Sequence, residues 1–100
     1  MESKDDWFER WAATQKPHPV YAQVFLEATG GTEELRRASG VLEEAGVHIF
    51  EERVKRRGSQ RLVTFFVDSE DLRKAVLRLT EAGFRRLIGI SPRRQSPASR

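Results

Sequence analysis

Between Arg61 and Asp68 lie Leu62-Val63-Thr64-Phe65-Phe66-Val67, an unbroken run of β-branched, aromatic and aliphatic residues. A strand with one wet face alternates apolar and polar side chains, so a run with no alternation reads as a strand buried on both faces. Such a strand belongs in the middle of a sheet. Other strands must pair beside it, and material must cover it above and below.

The rest of the chain supplies candidates for both. Residues 4–14 are expected to form a short amphipathic helix with Trp7, Phe8 and Trp11 on one face. Lys16-Pro17-His18-Pro19 is a stiff connector that ends it. Val20 to Ala28 is the first strand, with Ala22, Val24, Leu26 and Ala28 on one side and Tyr21, Gln23, Phe25 and Glu27 on the other. Thr29-Gly30-Gly31 is a tight loop, and Thr32 is the expected N-cap of a helix running to about Ala45, with Glu33 and Glu34 in its first turn. Leu35, Ala38, Val41, Leu42 and Ala45 form its buried stripe, and Gly46 fits the left-handed position past its end. Val47 to about Arg56 is the second strand, and Arg57-Gly58-Ser59 a turn into the central run. Ser69 is the expected cap of a further helix carrying Leu72, Ala75, Val76, Leu79 and Ala82. Gly83 ends it, Phe84 to Ile90 is the last strand, and residues 91–100, rich in Ser, Pro and Arg, are expected to be a disordered basic tail.

An internal echo supports this division. Leu42-Glu43-Glu44-Ala45-Gly46-Val47 matches Leu79-Thr80-Glu81-Ala82-Gly83-Phe84, each the end of a helix, a glycine stop and the start of a strand. Two β-α-β units in tandem give an α+β fold, the ferredoxin-like βαββαβ arrangement. It is a four-stranded antiparallel sheet with the first and third strands central, both helices on one face, and the short N-terminal helix in addition. The domains expected are residues 1–19, the helix and its connector; residues 20–90, the ferredoxin-like body; and the tail. Val24, Leu26, Val47, Ile49, Val63, Phe65, Val67, Ile88 and Ile90 are assigned to the helix-covered face. Tyr21, Phe25, His48, Phe50, Leu62, Phe66 and Leu87 are left on the open one. That set is too apolar for water. The Trp7–Trp11 helix, a second copy or stacked bases would each cover it, which makes Trp7, Phe8, Trp11, Tyr21, Phe25, Leu62 and Phe66 the candidate interface.

Composition narrows the function. The chain has no cysteine, so disulfides and thiolate chemistry are excluded. No apolar run approaches the roughly 20 residues of a membrane helix, and the start Met1-Glu2-Ser3-Lys4-Asp5-Asp6 is not a signal pattern; a cytoplasmic protein is expected. From Val20 to Ile90 there are 12 Lys/Arg against 11 Asp/Glu. The basic balance therefore sits mostly in the tail, at Arg93, Arg94 and Arg100. The two histidines, His18 and His48, have no partners at metal-ligand spacing, and no phosphate-loop or nucleophile-elbow pattern occurs. No cofactor and no catalytic residue is expected.

Leu35-x-x-Ala38-x-x-x-Leu42-x-x-Ala45-Gly46-Val47-x-Ile49 and Phe65-x-Val67-x-x-x-Asp71-x-x-x-Ala75-Val76 resemble the pattern of ACT domains over about 70 residues. The resemblance implies a non-catalytic regulatory module, a homodimer, and an amino acid or small anion bound near the loop after the first strand. By it the ligand residues are Thr29, Gly30, Gly31 and Thr32, with His48 and Phe50 across from them. The family's Asp-x-Pro-Gly loop signature falls on Gly30, Gly31, Thr32 and Glu33, which carry neither its Asp, its Pro nor its Gly. RNA-recognition motifs share the element order, and Phe25 lies where they place a stacking aromatic, but Gln60 and Leu62 fall at their two stacking positions on the third strand. In that alternative Arg53, Lys55, Arg56, Arg57 and Arg61 contact phosphates. A third reading is a pure assembly module whose sheet face binds a protein partner.

Overall fold

The computed structural model describes residues 4–28, 31–58 and 60–92, apart from the side chains of 4–6 and 57. Thr29, Gly30, Ser59 and residues 93–100 of the expected tail lie outside the described residues. The element order is α1 (Lys4–Ala13), β1 (Ala22–Ala28), α2 (Thr32–Glu44), β2 (Ile49–Arg57), β3 (Gln60–Val67), a 3₁₀ turn (Ser69–Asp71), α3 (Leu72–Glu81) and β4 (Leu87–Ile90). The fold is α+β, with three α-helices and one four-stranded sheet of order β2-β3-β1-β4 among the described residues. Every neighbouring pair is antiparallel.

The apolar run forms β3, an inner strand, and Leu62 to Val67 are all buried. Its two faces belong to different cores. Val63, Phe65 and Val67 join Val24 and Leu26 of β1, Ala38 and Leu42 of α2, and Ala75 and Leu79 of α3. Leu62 joins Phe25 of β1 and Phe8 and Ala12 of α1, with Trp7, Trp11, Ile88 and Ile90 packed around them. Fully buried Phe25 and Phe65 thus anchor opposite sides of one sheet, each worth roughly 1.5–3 kcal/mol of apolar transfer.

The helix ends follow the repeat. Val47 N–H donates to Leu42 O at 2.9 Å and Phe84 N–H to Leu79 O at 3.0 Å. These six-residue closures need a left-handed residue, supplied by Gly46 at φ 82° and Gly83 at φ 101°. They also hold Val47 and Phe84 on their helices, so the following strands start later than the sequence pattern implies. β1 likewise starts at Ala22 rather than Val20. The backbone N–H groups of Val20 and Tyr21 donate to His18 Nδ1, at 2.9 and 3.0 Å, instead of joining the ladder.

Three local expectations are corrected. Thr32 is the first residue of α2 and not its cap; Gly31 holds the N-cap position and no side chain caps there. Asp68, not Ser69, caps the turn before α3, its Oδ1 accepting from Glu70 N–H at 3.0 Å. On β4, Ile88 and Ile90 lie on the α1 side and Leu87 on the α2–α3 side. The register sets this, pairing Ile88 with Phe25 and Ile90 with Gln23. α3 also passes so close that a Cβ at Gly89 would lie 3.0 Å from Leu72 Cδ1 and from Val76 Cγ2. β2 carries a bulge between Ile49 and Glu51, leaving Phe50 as the extra residue.

Candidate functional site

On the α1 side, the register sets rows of side chains across the sheet. Arg53, Thr64, Phe25 and Ile88 form one row; Glu51, Phe66, Gln23 and Ile90 form the next; Lys55, Leu62 and Glu27 form a third. α1 lies over one part of this face. Trp11 stands edge-to-face with Phe25 at 5.3 Å, so Phe25 is covered within its own chain and offers no free ring for a base. The connector lies over another part. His18 packs against Phe66 at 5.4 Å and Tyr21 at 5.0 Å, and its backbone N–H donates to Gln23 Oε1 at 3.1 Å. Tyr21 stacks on Phe50 at 4.4 Å, and Phe50 meets the edge of His48 at 4.6 Å. Both histidines therefore belong to one row of rings, Phe66–His18–Tyr21–Phe50–His48, which ends at the exposed residues Phe50 and His48.

Of the ligand set implied by the ACT resemblance, Thr29 and Gly30 lie outside the described residues, and Gly31 and Thr32 stand apart from His48. Gly31 and Thr32 stand at the start of α2, while His48 follows its end, beside Glu43 and Gly46. The 13 residues of α2 separate them by about 20 Å. Near Gly31 the structure places Arg61, whose Nη1 is 3.2 Å from where a Cβ on Gly31 would stand. The hairpin cations also divide. Arg53 and Lys55 pair with Thr64 and Leu62 and face the α1 side, whereas Arg56 pairs with Arg61 on the α2 side. Arg53 lies 5.0 Å from the Phe66 ring centre and 2.7 Å from Glu51 Oε2, an exposed pair worth little by itself.

Two clefts flank α1. The larger, about 600 Å³, is lined by Phe8, Glu9, Glu27, Glu34 and residues 83–88. Its charges are largely engaged: buried Glu27 pairs with Arg86, which also lies 5.6 Å from the Trp7 and Phe8 ring centres. The smaller, about 230 Å³, lies between Trp11 and Gln15 on one side and Arg53, Val54 and Lys55 on the other. Its remaining lining is Gln23, Phe25, Leu62, Thr64 and Phe66. Gln23 is only 6% exposed and Thr64 only 8%. Trp11 Nε1 is buried with no hydrogen-bond acceptor among the described residues.

Gln15, Gln23, Thr64 and the Glu27–Arg86 pair were not among the expected site residues. The signal for two of them was present in the sequence. Gln23 and Glu27 are polar residues at inward positions of a central strand, where a polar side chain needs a partner. Among the described residues no group of three His, Cys, Asp or Glu side chains is placed to hold a metal ion, and no helix is long and apolar enough to cross a membrane. Compared with known proteins, the chain matches no family model and no curated protein sequence.

Proposed function

We propose that this chain is a non-catalytic, ligand-sensing regulatory domain of ACT type, working as a homodimer whose sheets join along β2. What supports the reading is a sheet that runs β4-β1-β3-β2 from its other edge, with α2 and α3 together on one face. The observation that carries the dimer is the charge pattern of the edge strand. β2 is nine residues long, pairs only with β3 among the described residues, and reads Ile-Phe-Glu-Glu-Arg-Val-Lys-Arg-Arg. An edge strand of this length, although bulged and rich in charge, presents backbone groups along which another strand can pair. Antiparallel pairing about a two-fold axis at Val54 would set Glu51 and Glu52 of each copy opposite Arg57 and Arg56 of the other, and Arg53 opposite Lys55, so opposite charges face each other at more positions than like ones. Half-exposed Val54 and Phe50 would gain cover there.

This differs from dimerisation through the open sheet face, much of which α1 covers in cis. The ligand of such a domain, an amino acid or small anion, would act by shifting the dimer's population or geometry. Sedimentation equilibrium at two protein and two salt concentrations tests the assembly. A dimer that weakens as salt rises, and in Glu52→Lys, is expected. A monomer at all concentrations would overturn the reading.

A further inference from the structure

We propose that His18 is a proton-sensitive latch, which holds the connector between α1 and β1 closed while its imidazole is neutral and releases it when the ring takes up a proton. The backbone N–H groups of Val20 and Tyr21 both donate to its Nδ1, at 2.9 and 3.0 Å. A neutral imidazole has one acceptor nitrogen and one donor, whereas an imidazolium has two donors and no acceptor. An Nδ1 that accepts is therefore without its proton, which stands on Nε2. Neither N–H has a place in the sheet, because the β1 ladder begins at Ala22. The ring is also held in place. Pro17 and Pro19 stiffen the chain on either side of it. The backbone N–H of His18 donates to Oε1 of buried Gln23 at 3.1 Å, and the ring packs on Tyr21 and Phe66 at 5.0 and 5.4 Å.

A proton on Nδ1 turns this acceptor into a donor that faces two donors. Both contacts are then lost together. The Val20 N–H lies at the surface, where water takes the place of the ring, so the opening is local and leaves the sheet intact. The charges around the ring act in both directions. Arg53 of β2 stands over the same Phe66 ring at 5.0 Å, where a second cation is repelled. Glu51, paired with Arg53 at 2.7 Å, offsets part of that. Lys16 and Tyr21 are the connector's own titratable side chains. Asp68 follows β3 and caps Glu70, and His48 stands beyond Phe50 at the far end of the row of rings. Gln23 of β1 and Ile90 of β4, in the same row as Phe66, carry no charge. The effect of opening reaches the sheet edge. Tyr21 stacks on Phe50 at 4.4 Å, so a freed connector withdraws the ring that covers Phe50 at the start of β2. Histidine suits the task because its charge changes between about pH 5 and 8. This latch works whether or not the chain dimerises or binds a ligand.

The test is NMR on the full chain labelled with ¹⁵N, between about pH 8 and about pH 5. At the upper end the His18 ring nitrogens should show the proton on Nε2. The Val20 and Tyr21 amides should there exchange with solvent at least about tenfold more slowly than in an unstructured chain at the same pH. On acidification most of that protection should be lost in step with the charging of His18, while amides within β3 keep theirs. His18→Asn puts a carbonyl acceptor within reach of the N–H two residues on and does not titrate, so it should keep the Val20 protection across the range. His18→Ala should lack it throughout. His48→Asn removes the other histidine and should leave the response intact. A proton on Nδ1 at the upper end would overturn the latch. So would protection that ignores the charging of His18 or that survives in His18→Ala. The same pH response in His18→Asn, or its loss in His48→Asn, would also overturn it. None of these outcomes touches the dimer, which sedimentation reads separately.

Discussion

Glu27 lies in an inner strand with 8% of its surface exposed, and Arg86 reaches it from the segment before β4. The two segments are also joined by Glu27 N–H donating to Arg86 O at 3.2 Å. A buried pair is costly to break because the remaining charge keeps its desolvation penalty. Glu27→Ala should therefore lower stability by about 3 kcal/mol, and Glu27→Gln, which keeps an acceptor but still leaves the Arg86 charge uncompensated, by about 2 kcal/mol. Urea unfolding checks both; a Glu27→Ala midpoint equal to wild type would show that the pair contributes nothing net. Trp11 presents the opposite case. Its indole N–H has no acceptor among the described residues, so Trp11→Phe removes an unsatisfied donor and keeps an aromatic ring against Phe25. Its unfolding free energy should stay within about 1 kcal/mol of wild type. A larger loss would mean that the indole fills space a phenyl ring cannot.

Among the elements, β4 and α3 fit closely against each other. A side chain at Gly89 would run into Leu72 and Val76, so Gly89→Val must push α3 outward at a cost of about 1–3 kcal/mol. Thermal melting should show a clear drop in midpoint; no drop would mean that α3 yields freely. The same closeness explains where the sequence could be read and where it could not. The helix stripes, the glycine stops and the central place of β1 and β3 were legible because each repeats a local pattern. The face of Ile88 and Ile90 was not, because a four-residue strand with a glycine in it has no alternation to follow. Its parity is set by Phe25 across the ladder. The bulge at Phe50 was hidden for a similar reason: an extra residue leaves no mark on composition. The separation of His48 from Gly31 is a matter of helix length and needs the fold in three dimensions. The smaller cleft was only half visible, with Gln23 on the right face of β1 but no indication that α1 would stop short of it.

At the scale of the whole molecule, two cores share one sheet. The larger holds α2 and α3, and the smaller holds α1. Deleting residues 1–19 should leave the larger core folded while baring Phe25, Leu62, Ile88 and Ile90. The expected variant keeps the far-ultraviolet dichroism of its remaining elements, binds the dye ANS strongly and melts at lower temperature. Loss of all regular structure would instead make α1 indispensable to the sheet. The shared wall has a further effect on how such a chain can change over generations. All seven residues of β1 and six consecutive residues of β3 are buried, so those strands offer almost no position where a substitution goes unnoticed. Drift must then collect on the outer helix faces and along β2, which is where a new partner or ligand preference would have to arise.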